Sequence, residues 1–204
     1  MTLKRSWIVV ALLLVWISPA LAQDGRISFS LSGGGVLNKQ AEGSNAVLKP
    51  TNSLGIITSL RFRIAKKSSL EFSYGRVKNS HKYTTPSLDF RVFTTVAEFS
   101  GAYVYRPLQR GKFEPFVFGG AGLMVFNPDD STVGGVETNF GAVRQYRPGF
   151  LYGGGTDYNL FWRFALRLQY RGLVYSAPDF RVQTLFTGSK GHMAEGLVGL
   201  VFKF

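Results

Sequence analysis

An unbroken alternation of apolar and polar side chains constrains this chain more than any other feature. Every second residue from 162 to 170 is large and apolar: Trp162, Phe164, Leu166, Leu168 and Tyr170. Arginines at positions 163, 167 and 171 recur every four residues, which a helix would gather into one stripe. However, a helix would scatter the five apolar residues around its axis. The segment is therefore predicted to be a β-strand with one apolar and one polar face.

The same period of two recurs along the chain and predicts eight strands. They span residues 26–37, 54–65, 69–79, 91–106, 112–126, 148–158, 159–174 and 191–204. The connections between them alternate between hairpin length and longer, polar stretches. This pattern predicts an all-β fold, an eight-stranded antiparallel up-and-down transmembrane β-barrel. Strands 112–126 and 148–158 are apolar on both faces, so the sequence does not orient them.

Composition excludes several other classes of protein. The chain has no cysteine, which excludes a disulfide scaffold or a zinc–thiolate site. Its 45% hydrophobic content can build a core, which excludes wholesale disorder. The longest apolar run, 7–17, is too short for a helix that spans a bilayer. No cofactor is indicated.

The N-terminal segment has the order of a secretory signal. Lys4 and Arg5 precede the apolar run, and Ala20-Leu21-Ala22 follows it. Residues 1–22 are therefore predicted to be a signal peptide cleaved near Ala22, and residues 23–204 the barrel domain. The alternative is that the run stays as a membrane anchor.

The composition of the two faces favours lipid outside the barrel over a ligand inside it. A soluble lipocalin-like barrel would turn its large apolar side chains inward. Here the polar face carries both signs of charge, which fits a narrow lumen because an enclosed charge needs a partner. The predicted lumen network is Arg61, Arg63, Glu71, Glu98, Glu114, Asp157, Arg163, Arg167, Arg171 and Glu195. The predicted membrane-facing residues are Phe62, Phe72, Phe99, Trp162, Phe164, Leu166, Leu168, Tyr170, Leu200 and Phe202.

Three stretches carry a resemblance to known proteins. The terminal run Val198-Gly199-Leu200-Val201-Phe202-Lys203-Phe204 resembles the C-terminal signal of bacterial outer-membrane barrels. Residues 113–122 and 152–158 are similar to the glycine-rich strands of small barrels of the outer-membrane protein A-like and opacity-like families. The resemblance implies a location in the outer membrane of a Gram-negative-type bacterium, and insertion by the barrel-assembly machinery with Phe204 as a recognition element. We expect no peptidoglycan-binding domain after the last strand.

Residues with catalytic potential are few. A lipid A-modifying hydrolase would need a histidine, a serine and a carboxylate together. His81 and His192 are the only histidines, and neither has the histidine-x-serine spacing of such barrels. Asp129-Asp130 is more typical of a turn than of an acid pair. Isolated histidines and dispersed acids supply no metal site. We therefore expect no enzyme, although the hydrolase is kept as an alternative.

The positive charge points to an acidic partner. The chain carries a net charge of +12, and cations fall in or beside the long connections. Candidate contacts for the phosphates of lipopolysaccharide are Lys78, Lys82, Arg144, Arg147, Arg181 and Lys190. Alternatively, these charges merely solvate the loops; nucleic acid is not expected for an exported chain. The favoured hypothesis is a barrel with a structural, adhesion or surface-interaction role through four loops, and the alternative is a narrow channel for ions or small solutes.

Overall fold

The chain folds into a closed barrel of eight long antiparallel strands. The computed structural model describes residues 26–43, 47–85, 89–108, 111–138 and 141–204. The barrel strands are β1 (Ile27–Asn38), β4 (Ser53–Ala65), β5 (Ser68–Thr84), β6 (Asp89–Tyr105), β7 (Phe113–Val133), β9 (Gln145–Phe161), β10 (Phe164–Ser176) and β11 (Lys190–Lys203). Each strand pairs with the next, and β11 returns to pair with β1. The predicted fold class is confirmed.

Three short strands and one helical turn complete the regular structure of the described residues. β2 (Ala41–Glu42), β3 (Val47–Pro50) and β8 (Val136–Glu137) extend the sheet beyond one end of the barrel. A 3-10 turn, Gln183–Leu185, lies between β10 and β11. Within the described ranges no helix is long and apolar enough to cross a bilayer. The predicted signal peptide, residues 1–22, lies outside these ranges.

The two ends of the barrel differ. At the turn end, β4 connects to β5 and β9 to β10 through two-residue turns. Both chain termini of the barrel meet there, where the Phe204 N–H donates to the Ile27 carbonyl at 2.9 Å. The opposite, loop end carries the longer connections and the short strands. An up-and-down topology requires this division because every second connection returns to the same end.

The outer wall forms an apolar belt. The ten residues predicted to face the membrane all lie on this wall, where Phe72, Phe99 and Leu168 are each more than half exposed. Near the turn end the wall is ringed by aromatic side chains: Tyr103, Tyr105, Phe113, Phe161 and Trp162. Exposed apolar area of this extent is costly in water, and a belt with an aromatic girdle is the outer surface of a transmembrane barrel.

Two of the predicted polar connections are partly strand. β5 continues to Thr84 and β6 begins at Asp89, so most of the predicted connection 79–90 is a paired hairpin. Likewise, β7 continues to Val133 and carries Asp129 and Asp130, which are not turn residues. These extensions are polar outside but bury side chains such as Tyr83 and Val92 inside. Polar composition was therefore a poor guide to where these strands end.

The structure orients the two strands that the sequence left open. β7 turns Phe116, Phe118, Met124 and Phe126 into the barrel. Two glycines of β9 give these rings room: a Cβ at Gly153 would lie 2.4 Å from the Phe118 ring, and one at Gly155 would lie 2.9 Å from the Phe116 ring. Both faces of β7 are apolar because its inner face belongs to an apolar layer of the lumen.

Candidate functional site in the barrel lumen

A buried ion-pair cluster crosses the lumen nearer the turn end. Arg167 binds Asp157 in a bidentate pair, from Nε to Oδ1 at 2.7 Å and from Nη2 to Oδ2 at 3.0 Å. Arg61 donates from Nε to Glu71 Oε2 at 2.8 Å, and Arg167 Nη1 reaches the same oxygen at 3.2 Å. All four side chains are at most 2% exposed. Paired, hydrogen-bonded charges of this kind offset much of the cost of removing them from water.

An aromatic ring packs against both arginines of this cluster. The guanidinium carbons of Arg61 and Arg167 lie 4.3 and 5.2 Å from the centre of the Phe116 ring. Cations at this range are attracted to the face of an aromatic ring. Phe116 therefore seals the cluster against the rest of the lumen without introducing an unpaired polar group.

A second cluster is centred on Arg171. Its Nη2 donates to Glu98 and to Ser100 Oγ, the latter at 3.1 Å, and its Nε lies 3.1 Å from Glu195 Oε2. The three charged side chains are at most 3% exposed. Two carboxyl groups thus face one arginine in this cluster, whereas acids and arginines are equal in number in the cluster around Arg167.

The remaining predicted network residues lie elsewhere. Arg163 is outside the network: Trp162 has a φ of 49°, which ends the strand, and Arg163 occupies the exposed turn over the Trp162 ring. Arg63 is half-buried at the turn-end mouth of the barrel. Glu114 accepts from Lys203 Nζ at 2.9 Å, also near the turn end. The sequence placed Arg163 on the same face as Ala165 and Arg167 because the apolar–polar alternation continues through the turn.

Two interior cations were missed by the sequence analysis. Arg106 is 4% exposed, and its Nη1 donates to Ser69 Oγ at 3.2 Å. Lys203 bridges Glu114 and the Asn159 side-chain oxygen, the latter at 2.7 Å. Each alternates with outward aromatic residues, Arg106 with Tyr105 and Lys203 with Phe202. The period of two therefore predicts that both point inward when it is continued to the turn end of each strand.

An apolar layer fills the lumen on the loop-end side of the ion pairs. Its barrel-wall members, each at most 6% exposed, are Val36, Val77, Val96, Met124, Phe126, Leu151, Leu173, Tyr175 and Met193. The predicted lumen of paired charges is thus only part of the interior. Apolar packing at this density leaves little room for water or ions.

The segment between β10 and β11 covers the loop end of this layer. Its own Phe180 and Leu185 are fully buried against this layer. The Tyr83 hydroxyl donates to the Pro178 carbonyl at 2.7 Å, and Asp179 accepts from Gln145 and from Arg147 Nη2 at 3.2 Å. We call residues 177–189 the cap. Its side chains close the barrel in the same way as a plug.

A neutral histidine lies beneath the cap. His81 is 1% exposed, and its Nδ1 is 3.0 Å from Thr94 Oγ1. The rings of Phe126 and Phe180 meet it edge-on. Burial lowers the pKa of His81 to about 4 and, with the nearby Asp179, raises the pKa of Tyr83 well above its usual value. Both groups are therefore uncharged at neutral pH, as an apolar setting requires.

The structure does not assemble a hydrolytic site from the two histidines. His81 contacts Thr94, and His192 Nε2 is 2.8 Å from the Tyr152 hydroxyl. Neither of these contacts includes a carboxylate. Within the described residues no group of three His, Asp or Glu side chains could hold a metal ion.

The predicted lipopolysaccharide contacts fall into two groups. Lys82 pairs with Asp89 at 2.9 Å, and Arg147 is half-buried against Asp179. The other four are exposed and form no ion pair with a described residue: Lys78, Arg144, Arg181 and Lys190. Lys78 and Lys82 lie on β5 rather than in a loop.

Comparison with known proteins agrees with this architecture. No protein-family model matches the chain, and no curated protein matches it in sequence. Among solved structures it is similar to Neisserial surface protein A, with 17% identity and a TM-score of 0.56 over 89% of this chain and 98% of that one. It is also similar to the outer membrane protein OprG from Pseudomonas aeruginosa, with 13% identity and a TM-score of 0.55 over 87% and 95% of the two chains.

These likenesses, together with the apolar belt, define the class of protein. The chain has the fold of the small eight-stranded outer-membrane barrels, and its belt places it in an outer membrane. The resemblance predicted from the final strand and the glycine-rich strands is confirmed at the level of fold.

Proposed function

We propose that this protein is a non-enzymatic, closed outer-membrane barrel that acts through its outer wall and loop end. The observation that carries the proposal is that three layers fill the lumen one after another: the ion pairs around Arg167, the apolar layer and the cap. The fully buried Arg167 and Phe180 mark the two ends of this filling. With the interior filled, the surfaces left for a partner are outside.

A narrow channel is the second candidate. Its support is that ion-pair clusters can rearrange as a gate. Planar-bilayer recording of the full-length barrel distinguishes the two. We expect no steady conductance in most insertions, because opening would require the cap and the apolar layer to move together. Steady conductance in most insertions would instead establish the channel.

We further propose that the loop end binds the phosphates of lipopolysaccharide. Lys78, Arg144 and Lys190 are exposed, point out from the wall and form no ion pair with a described residue. Lys49, Lys82 and Arg91 add a cross-strand row of cations at the same end. Cations at the rim of the apolar belt are placed where the phosphates of a membrane lipid lie, and they bind phosphate through charge-assisted hydrogen bonds.

The test compares lipid A with and without its phosphates, bound to protein in an uncharged detergent. We expect the triple variant K78Q, R144Q, K190Q to bind phosphorylated lipid A at least about tenfold more weakly than the parent, as expected for the loss of charge-assisted contacts. The matched control is K66Q, K67Q, K112Q, which removes three exposed charges at the turn end and should bind as the parent does. Equal affinity of the parent for both lipids would refute phosphate recognition.

A further inference from the structure

The turn-end mouth of the barrel is lined by cationic side chains from separate parts of the fold. Arg61 and Arg63 lie on β4 near its turn end, and Lys203 is the last residue of β11. Arg26 precedes β1, and Arg106 follows β6. We call these five residues the basic mouth. Ser28 and Ser69 complete its lining. The cavity has a volume of about 10 Å³ for the centre of a water-sized sphere, which is room for one such sphere.

The charges of the basic mouth are not balanced by the carboxylates that contact it. Leaving Arg26 aside, Arg61, Arg63, Arg106 and Lys203 supply four positive charges. Glu71 pairs with Arg61 at 2.7 Å, and Glu114 pairs with Lys203 at 2.9 Å and lies 3.9 Å from Arg106. Asp157, at 3.4 Å from Arg61, is already neutralised by its bidentate pair with Arg167. Two positive charges are therefore in excess within one opening.

Two guanidinium groups of the basic mouth each have an N–H donor without a hydrogen-bond acceptor. Arg106 is 4% exposed, and its Nε is shielded from solvent without a hydrogen-bond acceptor. Arg63 Nε is likewise shielded and without an acceptor, and Arg63 is in no ion pair with a described residue. The two side chains lie close enough for the charge of one to act on the other. Buried donors without acceptors are rare in native structures, so such a pair calls for a ligand.

Water and an anion would both accept these hydrogen bonds, but only an anion also reduces the repulsion. A water in the opening would leave the two excess charges facing each other between low-dielectric walls, where charge is least screened. An anion would accept from both Nε donors and neutralise part of the excess. The size of the opening limits the ligand to a small one.

We propose that the basic mouth binds one small monatomic anion, a halide, through Arg63 and Arg106. The hydroxyls of Ser28 and Ser69 supply further donors in the same opening. This site lies on the turn-end side of the ion pairs that close the lumen. It therefore goes beyond the proposed function and does not depend on whether the loop end binds lipid.

Chloride-35 NMR on the full barrel in an uncharged detergent tests the proposal. Protein that binds chloride broadens the chloride line, and we expect Arg63→Gln to reduce that broadening about tenfold, as for the loss of one charge-assisted hydrogen bond. Arg63 is the residue to change because it pairs with no acid, so the variant should still fold, as checked by heat-modifiable migration on a gel. Arg163→Gln is the matched control: it removes an exposed arginine at the same end and should broaden the line as the parent does.

Competition identifies the anion. Millimolar phosphate should leave the broadening in the parent unchanged, because the cavity is too small for it; loss of the broadening would overturn the assignment to a halide. Equal broadening by the parent and Arg63→Gln would overturn the proposal. An equal loss in Arg63→Gln and Arg163→Gln would overturn it too, because it would indicate diffuse accumulation around a basic surface.

Discussion

Arg167 and Asp157 face each other across the β9 and β10 pair, and two hydrogen bonds of 2.7 and 3.0 Å join them inside the barrel. Asp157 is fully buried and also lies 3.4 Å from Arg61 Nη1. One carboxylate thus serves two guanidinium groups that would otherwise repel each other in a setting where water cannot screen them.

The first prediction concerns this carboxylate. We expect Asp157→Asn to lower the free energy of unfolding by about 3 to 5 kcal/mol, the usual cost of leaving a buried charge without its partner. Urea unfolding of the barrel in detergent measures the change. Asp130→Asn is the control, because Asp130 is exposed on β7 and forms no ion pair with a described residue. Equal unfolding midpoints for Asp157→Asn and the parent would contradict the role of the pair.

The second prediction compares the two acids that face Arg171. Glu98 accepts a hydrogen bond from Arg171, whereas Glu195 lies 3.1 Å from Arg171 Nε without hydrogen-bond geometry. Glu98→Ala should therefore unfold at a lower urea concentration than the parent and than Glu195→Gln, which also relieves the repulsion between the two acids. Fluorescence-monitored unfolding gives the order. Glu195→Gln as the less stable variant would reverse the assignment of the main partner.

The third prediction concerns pH and the cap. Because the pKa of His81 is about 4 in the folded state and about 6.5 when unfolded, the unfolded or opened state binds the proton more tightly. Neutral His81 therefore stabilises the folded state fully above pH 6.5, and this stabilisation is lost as the pH falls toward 4, by up to about 3 kcal/mol. Hydrogen exchange of residues 177–189, corrected for the intrinsic rate, should therefore accelerate over this range. His81→Asn removes the titrating ring, so exchange in this variant should not accelerate as the pH falls from 6.5 to 4. The same acceleration in His81→Asn as in the parent would assign the effect to other groups.

The fourth prediction concerns the glycines under the lumen aromatics. A Cβ at Gly153 would meet the Phe118 ring at 2.4 Å and the Tyr170 carbonyl oxygen at 2.2 Å, whereas one at Gly196 would meet nothing within 4 Å. Gly153→Ala should destabilise the barrel by about 1 to 3 kcal/mol through overpacking, and Gly196→Ala should not. Thermal unfolding followed by gel migration compares the two. Equal melting temperatures for Gly153→Ala and Gly196→Ala would contradict this, because they would show that Phe118 and the Tyr170 backbone can move aside at no cost.

The alternation of side chains was sufficient to predict the strands, the topology and the outer wall. It succeeded because a strand in a barrel wall has only two faces, and a charge on the lipid face is costly near the centre of the bilayer. It placed Arg61, Glu71 and Arg167 on the polar faces of their strands, whereas the strand of Asp157 had no clear orientation in the sequence. The register between the strands brings the four residues together. Which acid pairs with which arginine depends on the stagger between strands, which a single sequence does not contain.

The local pattern is misleading where contacts between strands decide the outcome. Arg163 keeps the alternation but falls in a turn. Arg106, by contrast, obeys the alternation one residue after β6 ends. The apolar half of the lumen was missed because Phe116 and Phe118 pack on glycines of another strand. The cap was read as a loop because Phe180 and Leu185 have no periodic context in which to be recognised as buried.

The central claim is that the apolar face meets lipid and the charged face is enclosed. Nitroxide labels at Leu168 on the outer face and Gln169 on the inner face, in barrels reconstituted in bilayers, test it most directly. We expect the label at 168 to be accessible to oxygen dissolved in the bilayer, and the label at 169 to be shielded from oxygen and immobilised by its neighbours. Oxygen access at 169 together with a protein-packed or aqueous environment at 168 would contradict the account.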